Sequence, residues 1–194
     1  MKFHQPCQTN KQCATKVLLI LFRSWVMRYL WVLLFCSYCY AEPALPEFTQ
    51  RSPAAWINSP PLKVADFKGS VLLLDIWTFE CWNCYRSFPW LNDLSARFAG
   101  RGLKVVGIHS PEFDRERAPA AVAAKAAEFG FKHPVMIDND FAYWKALNNQ
   151  YWPSFYLVDK RGVIRQRFVG ETHQGDAQAQ KIEAALNALL LERP

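Results

Sequence analysis

The sequence predicts an α/β domain, one sheet with helices packed on both sides. Three observations carry that expectation. Val71–Trp77 (VLLLDIW) is a continuous apolar run of strand length, as in a strand buried on both faces. From there, strand-like and helix-like stretches alternate. A hairpin pattern and an amphipathic stretch then close the chain.

The chain opens on a leader. Residues 29–40 (YLWVLLFCSYCY) form an apolar run of twelve preceded by Arg28, short of the roughly 20 residues a membrane span needs. Small residues close the run, so 1–41 reads as a signal peptide cleaved after Ala41, with Met27 as an alternative start that gives a signal of ordinary length. The competing reading is an uncleaved anchor over residues 17–40. It would hold Arg23 and Arg28 inside the span, at about 2.5–3.5 kcal/mol each. Both readings place the folded part outside the cytoplasm. Residues 42–61 contain Pro43, Pro46, Pro53, Pro60 and Pro61 and are expected to be an extended lead-in to a domain over 62–194.

Within that domain each element has a local reason. Tyr85, Phe88, Leu91, Leu94 and Phe98 recur at steps of three and four, one face of a helix that Gly100 and Gly102 end. Leu103–His109 is the next strand. Arg115–Phe129 is Ala-rich and is expected to be a single helix stopped by Gly130. Pro134–Asp138 reads as a short strand and Phe141–Leu147 as a short helix. Ser154–Asp159 and Val163–Val169 flank the turn Lys160-Arg161-Gly162 as a hairpin. Asp176–Leu191 is the last helix, with Ile182, Leu186, Leu189 and Leu190 inward.

Composition narrows the function. At 51% hydrophobic and 21% charged, the chain of 194 residues is neither disordered nor fibrous. Its net charge of +6 is a property of the leader: five of the 23 basic residues lie in 1–41 with no acid, leaving 18 against all 17 acids. No nucleic-acid partner is implied. Four of the six cysteines (Cys7, Cys13, Cys36 and Cys39) also lie in the leader, so the domain keeps only Cys81 and Cys84. One close pair is no disulfide framework. A zinc site would need two further ligands, and beyond the leader, which holds the Cys36/Cys39 spacing, no second CxxC or HxxxH exists, so no metal is expected.

The pair sits where the buried strand hands over to the amphipathic helix, in Asp75-Ile-Trp77-Thr-Phe-Glu80-Cys81-Trp82-Asn-Cys84. A helix start presents unpaired N–H groups and partial positive charge. A cysteine placed there is favoured as thiolate. Cys84, one turn on, is within reach of a disulfide with it.

These residues resemble the thioredoxin superfamily over nearly all of residues 62–191. Thioredoxins have an acid six residues before the first cysteine, a Trp two after that acid, a kinking Pro eight after the first cysteine and a cis-proline before the final hairpin. Asp75, Trp77, Pro89 and Trp152-Pro153-Ser154 stand in those places. The resemblance implies a thioredoxin fold with a central mixed sheet. The long segment between His109 and Pro153 is similar to the helix–strand insertion of the periplasmic TlpA/ResA-like branch. More narrowly, His109-Ser-Pro-Glu-Phe113, Asp138-Asn-Asp140, Asn148-Asn-Gln-Tyr-Trp-Pro153 and Gly170-Glu171 resemble the exported redoxin domain of DipZ-type proteins.

The resemblance implies an exported thiol–disulfide oxidoreductase without a bound cofactor beyond a redox-active Cys81–Cys84 disulfide. Cys81 would attack a protein disulfide and Cys84 would resolve the mixed disulfide. Asp75 would take the Cys84 proton. Pro153 would shape a substrate groove, with Trp77, Trp82 and Trp152 along it. DipZ-type proteins carry a fused membrane electron-carrying module. Here a separate donor of the DsbD/CcdA type is expected, and the direction is expected to be reductive. Two departures leave the potential open: Trp-Asn replaces Gly-Pro between the cysteines, and Glu80 sets a negative charge next to Cys81. His109 is a candidate modulator at the end of its strand, with a structural role as its alternative, while His133 and His173 read as loop residues. Thr78, three residues before Cys81 as in peroxiredoxins, keeps a thiol peroxidase as an alternative, although Leu74 stands where that motif has Pro. A non-catalytic peptide-binding module is the other.

Overall fold

The computed structural model describes residues 43–193, so the expected signal peptide, its cleavage point and the Met27 start lie outside the described residues. Ten elements follow in chain order: β1 (Trp56–Ile57), β2 (Val71–Trp77), α1 (Trp82–Ala99), β3 (Leu103–His109), α2 (Pro119–Glu128), β4 (Val135–Ile137), α3 (Ala142–Ala146), β5 (Ser154–Val158), β6 (Ile164–Val169) and α4 (Ala177–Leu191). Among the described residues the strands form one mixed sheet in the order β1-β4-β3-β2-β5-β6. All seven residues of β2 are buried, as the unbroken apolar run requires. It runs parallel to β3, with Asp75 opposite Gly107 and Trp77 opposite His109. On its other side it runs antiparallel to β5, with Asp75 opposite Phe155.

Alternation along the strands sorts the core into two faces. Val71 and Leu73 join Leu91, Leu94 and Phe98 of α1 and Ile182 and Leu186 of α4. Nearer the end of β2, Trp77 packs with Cys84 and Phe88 of α1 and with Val122 and Ala126 of α2. Leu72, Leu74 and Ile76 point the other way, against Phe48, Trp56, Tyr143 and Leu147. Helices therefore cover both faces.

Two expectations change. The stretch before residue 62 is part of the domain rather than a lead-in: β1 pairs antiparallel with β4, Leu45 N–H bonds the Gly162 carbonyl at 2.8 Å, and Phe48 is fully buried between Trp56 and Tyr143 at centroid distances of 5.4 and 5.3 Å. The prolines made it look like a linker, but its aromatic side chains roof a sheet face that α3, five residues long, cannot cover alone. The single helix over 115–129 is in fact a 3-10 turn, Asp114–Arg117, followed by α2. Pro119 disfavours the helical backbone at the residue before it, and Ala118 is extended at φ −70°, ψ 116°.

If the lead-in is core, Phe48→Ala will destabilise the domain by about 3–5 kcal/mol. Equilibrium denaturation would read that loss; a change below about 1 kcal/mol would mean that the stretch merely lies on the surface.

Candidate active site

Strand β2 leaves the core at Trp77, turns through Thr78-Phe79-Glu80 and delivers Cys81 as the N-cap of α1. In that position the Cys81 sulfur accepts the Cys84 N–H at 3.2 Å, a bond to one of the donors that every helix start leaves unpaired. The two sulfurs are bonded as a disulfide, with Cα atoms 5.2 Å apart. They differ sharply in access. Cys81 is partly exposed, whereas Cys84 is fully buried beside Trp77 and Phe88.

Asp75 lies on the α1-covered face of the sheet, two residues before Trp77 on β2. It is fully buried, and neither carboxylate oxygen has a hydrogen-bond partner. Burial pushes its pKa up to about 8.

The Trp152–Pro153 peptide is cis. Trp152 and Cys81 both pack against the apolar cluster that contains Cys84, which brings this loop to the same end of the core as the cysteines. The Trp152 indole donates to the Ser110 carbonyl at 3.0 Å and packs 4.3 Å from Trp144. Pro153 is buried, and its carbonyl accepts the Gly170 N–H at 3.0 Å. Trp82 is 66% exposed on the first turn of α1, stacked on Tyr85.

Trp77 is the correction among the groove residues. It is fully buried with Phe88 and Phe131 edge-on to its ring, at 5.6 and 5.1 Å, and cannot touch a substrate. The cause lies on the neighbouring strand. A side chain at Gly107 would meet the Trp77 indole nitrogen at 2.9 Å, so the missing side chain leaves the room that the buried indole occupies. His133 lies in the loop between α2 and β4, as expected, but is buried there: it is 7% exposed, ring against Phe131 at 4.5 Å, and burial lowers its pKa to about 4.

His109 is sealed between Trp77 and Phe79 at 4.9 and 5.5 Å. Burial lowers its pKa to about 4, so its ring is neutral near pH 7. Its Nε2 lies 3.4 Å from the Thr78 hydroxyl. That hydroxyl is buried and donates to Glu116. Thr78 is thus buried with its hydroxyl proton on an internal partner, an arrangement that gives the peroxidase reading no support.

Glu116 and Arg115 carry no signal that sequence reasoning used, because DRER reads as solvated charge at a helix start. Glu116 is fully buried and accepts four bonds: from Thr78, from the Glu80 N–H at 2.9 Å and from the Glu112 and Phe113 N–H groups at 2.7 Å each. It staples the loop after β3 to the turn before Cys81. Arg115 clasps both carboxylate oxygens of Glu80. Through that bond it holds the Glu80 carboxyl below the usual range, so the charge beside Cys81 is compensated. Among the described residues no three His, Cys, Asp or Glu side chains gather as metal ligands.

A thioredoxin-like sheet, a cysteine pair at the start of its central helix and a cis-proline loop beside that pair define a thiol–disulfide protein of thioredoxin fold. The chain belongs to the Redoxin family, whose model matches residues 41–186. Over 136 residues, 69% of the chain, it is 37% identical to Protein DipZ of Mycobacterium bovis, and it spans only 19% of that relative's length. It is 26% identical to the thiol-disulfide oxidoreductase YkuV of Bacillus subtilis, covering 76% of this chain and 95% of that one. A solved thiol-disulfide isomerase from Corynebacterium glutamicum superposes with a TM-score of 0.68 at 25% identity, covering 79% of this chain and 99% of that one.

The buried acid predicts a pH signature. The pKa of Asp75 is raised on folding from 3.8 to about 8, so the folded state holds a proton that the unfolded chain has lost. Stability is fully present below pH 4 and falls as pH rises toward 8, with a slope of up to about 1.4 kcal/mol per unit. Asp75→Asn will flatten that fall, and its stabilising effect will be larger at pH 8 than at pH 4. Parallel denaturation profiles for the two proteins would refute the assignment.

Proposed function

We propose that the protein is an exported thiol–disulfide oxidoreductase that reduces disulfides in other proteins, with no cofactor beyond its own cysteine pair. The observation that carries this reading is the unequal placement of the two sulfurs: one caps a helix at the surface and the other is buried one turn inside, on the same sheet face as the unpartnered Asp75. In the reduced protein the Cys81 thiolate attacks one sulfur of a substrate disulfide. A Cys81–substrate bond forms, the substrate disulfide breaks, and one substrate thiolate leaves. Cys84 then loses its proton to Asp75 and attacks the Cys81 sulfur. The Cys81–Cys84 disulfide forms, the second substrate thiol departs, and two electrons have passed to the substrate.

Asp75 suits the proton step on energetic grounds. Its pKa of about 8 is close to the roughly 8.5 of an ordinary thiol, so transfer between them is nearly balanced. Only the ionised carboxylate can accept the proton, so the resolving step quickens as pH rises toward 8. A dithiol donor is needed for the next cycle, and a membrane electron carrier of the DsbD/CcdA type fits a protein working outside the cytoplasm. Trp82 and Trp152 serve as groove walls beside Pro153.

Two measurements test the reading. Cys84→Ser should accumulate substrates covalently held on Cys81, released by a reducing agent, whereas Cys81→Ser should hold none; equal yields would reverse or remove the roles of the two cysteines. The potential of the pair should lie nearer the roughly −270 mV of thioredoxin than the roughly −120 mV of a strong oxidant. A value at the oxidising end would make the protein a disulfide donor.

A further inference from the structure

Glu80 immediately precedes the attacking cysteine, and an uncompensated carboxylate there would oppose a second negative charge on the Cys81 sulfur. Arg115 meets it two-pronged, with Nε and one terminal nitrogen on the two carboxylate oxygens. The side chains are 64% and 30% exposed, and exposed pairs contribute little to stability. This one is nevertheless built. The next residue, Glu116, is fully buried and anchored by four donors on two segments, one of them the N–H of Glu80 itself. The same side chain that fixes the backbone of Glu80 therefore fixes the loop that carries Arg115. The Arg115 guanidinium also lies over the Phe113 ring at 4.4 Å, which further restricts its swing.

We propose that Arg115 is a positioning residue that acts through Glu80: by neutralising the carboxylate next to Cys81, it keeps the attacking sulfur available as thiolate. This rests on the oxidoreductase reading. Charged groups on the elements around the turn include Asp75 on β2, buried Glu116, exposed Glu112 on the loop after β3, Arg117 paired with Asp114, Lys125 on α2 paired with Glu128, and Arg86 on α1 paired with Glu171. Arg115 bonds Glu80 directly and is the largest cause of its lowered pKa; Lys125 adds a smaller effect through space.

The test is a double-mutant cycle on the reduced full-length protein. Its readout is the pH profile of Cys81 alkylation by a neutral reagent at low salt, with the modified cysteine identified by peptide mass. Arg115→Gln should move the midpoint upward and slow alkylation below it about threefold. Glu80→Gln should move the midpoint the other way, and the double variant should return close to wild type. Near 1 M salt, where screening acts within about 3 Å, the single-variant shifts should shrink. A purely structural role would predict neither the opposite signs nor the salt dependence. Unchanged profiles in Arg115→Gln, or the same shift with and without Glu80, would overturn the inference while leaving the oxidoreductase reading intact. A wild-type pair that cannot be cycled between dithiol and disulfide would remove that reading itself.

Discussion

The bond from the Cys84 N–H to the Cys81 sulfur is the contact on which the other features of the site depend. It exists because a buried strand ends where a helix begins, so the first side chain outside the helix must satisfy donors that no carbonyl can reach. Serine or aspartate commonly fills that position. A sulfur there does the same job and gains a property the oxygen residues lack: its charged form is both the better acceptor and the nucleophile. Under the proposed mechanism, capping the helix and preparing the attacking atom are one interaction. Burial of Cys84 then follows from helical geometry, since a residue three positions on returns toward the sheet.

The sheet divides the labour by face. The side built from Leu72, Leu74, Ile76 and Ile108 closes on aromatic and aliphatic groups from the first segment and α3. The α1 side carries the polar exceptions: Asp75, the Trp77 indole nitrogen and His133 Nε2 are all buried without partners. Gly107 is opposite Asp75 in the parallel register, and Trp77 and His133 crowd the space its missing side chain would take. Unsatisfied polar groups in a core are unfavourable, and these three gather around Gly107 on the α1 side. The proposed proton transfer to Asp75 would put that local loss of stability to use.

Much of this is legible in the amino-acid sequence. β2 and β3 were readable to the residue because an apolar run bounded by polar turns has one reading at that length, and the spacing of Asp75, Pro89 and Pro153 around Cys81 identified the fold. What escaped was information that sequence does not carry locally. Trp77 looked like a groove wall because it adjoins the active turn, but strand alternation points it inward and Gly107, thirty residues on, makes the room. Pro-rich residues 42–61 looked like a linker because proline rules out a long helix, yet Phe48 and Trp56 were available to roof a face whose exposure only the assembled sheet reveals. Helix propensity carried Arg115–Phe129 as one unit until Pro119 imposed its constraint on Ala118.

Glu116 shows the deepest limit of such reading. In sequence it is one of four consecutive charges; in space it is a fully buried carboxyl group whose oxygens take four donors from two loops. A buried charge is tolerated only when its bonding capacity is filled, and here filling it requires backbone N–H groups that no regular element uses. The turn before Cys81 and the loop after β3 each supply donors that would otherwise be stranded, and the carboxylate satisfies both sets at once. It follows that the two loops are held by one contact, and that the position of Cys81 depends on a residue 35 places later in the chain. The two cysteines occupy one short motif, but the turn that presents them is completed by a loop that the third strand carries back across the helix start.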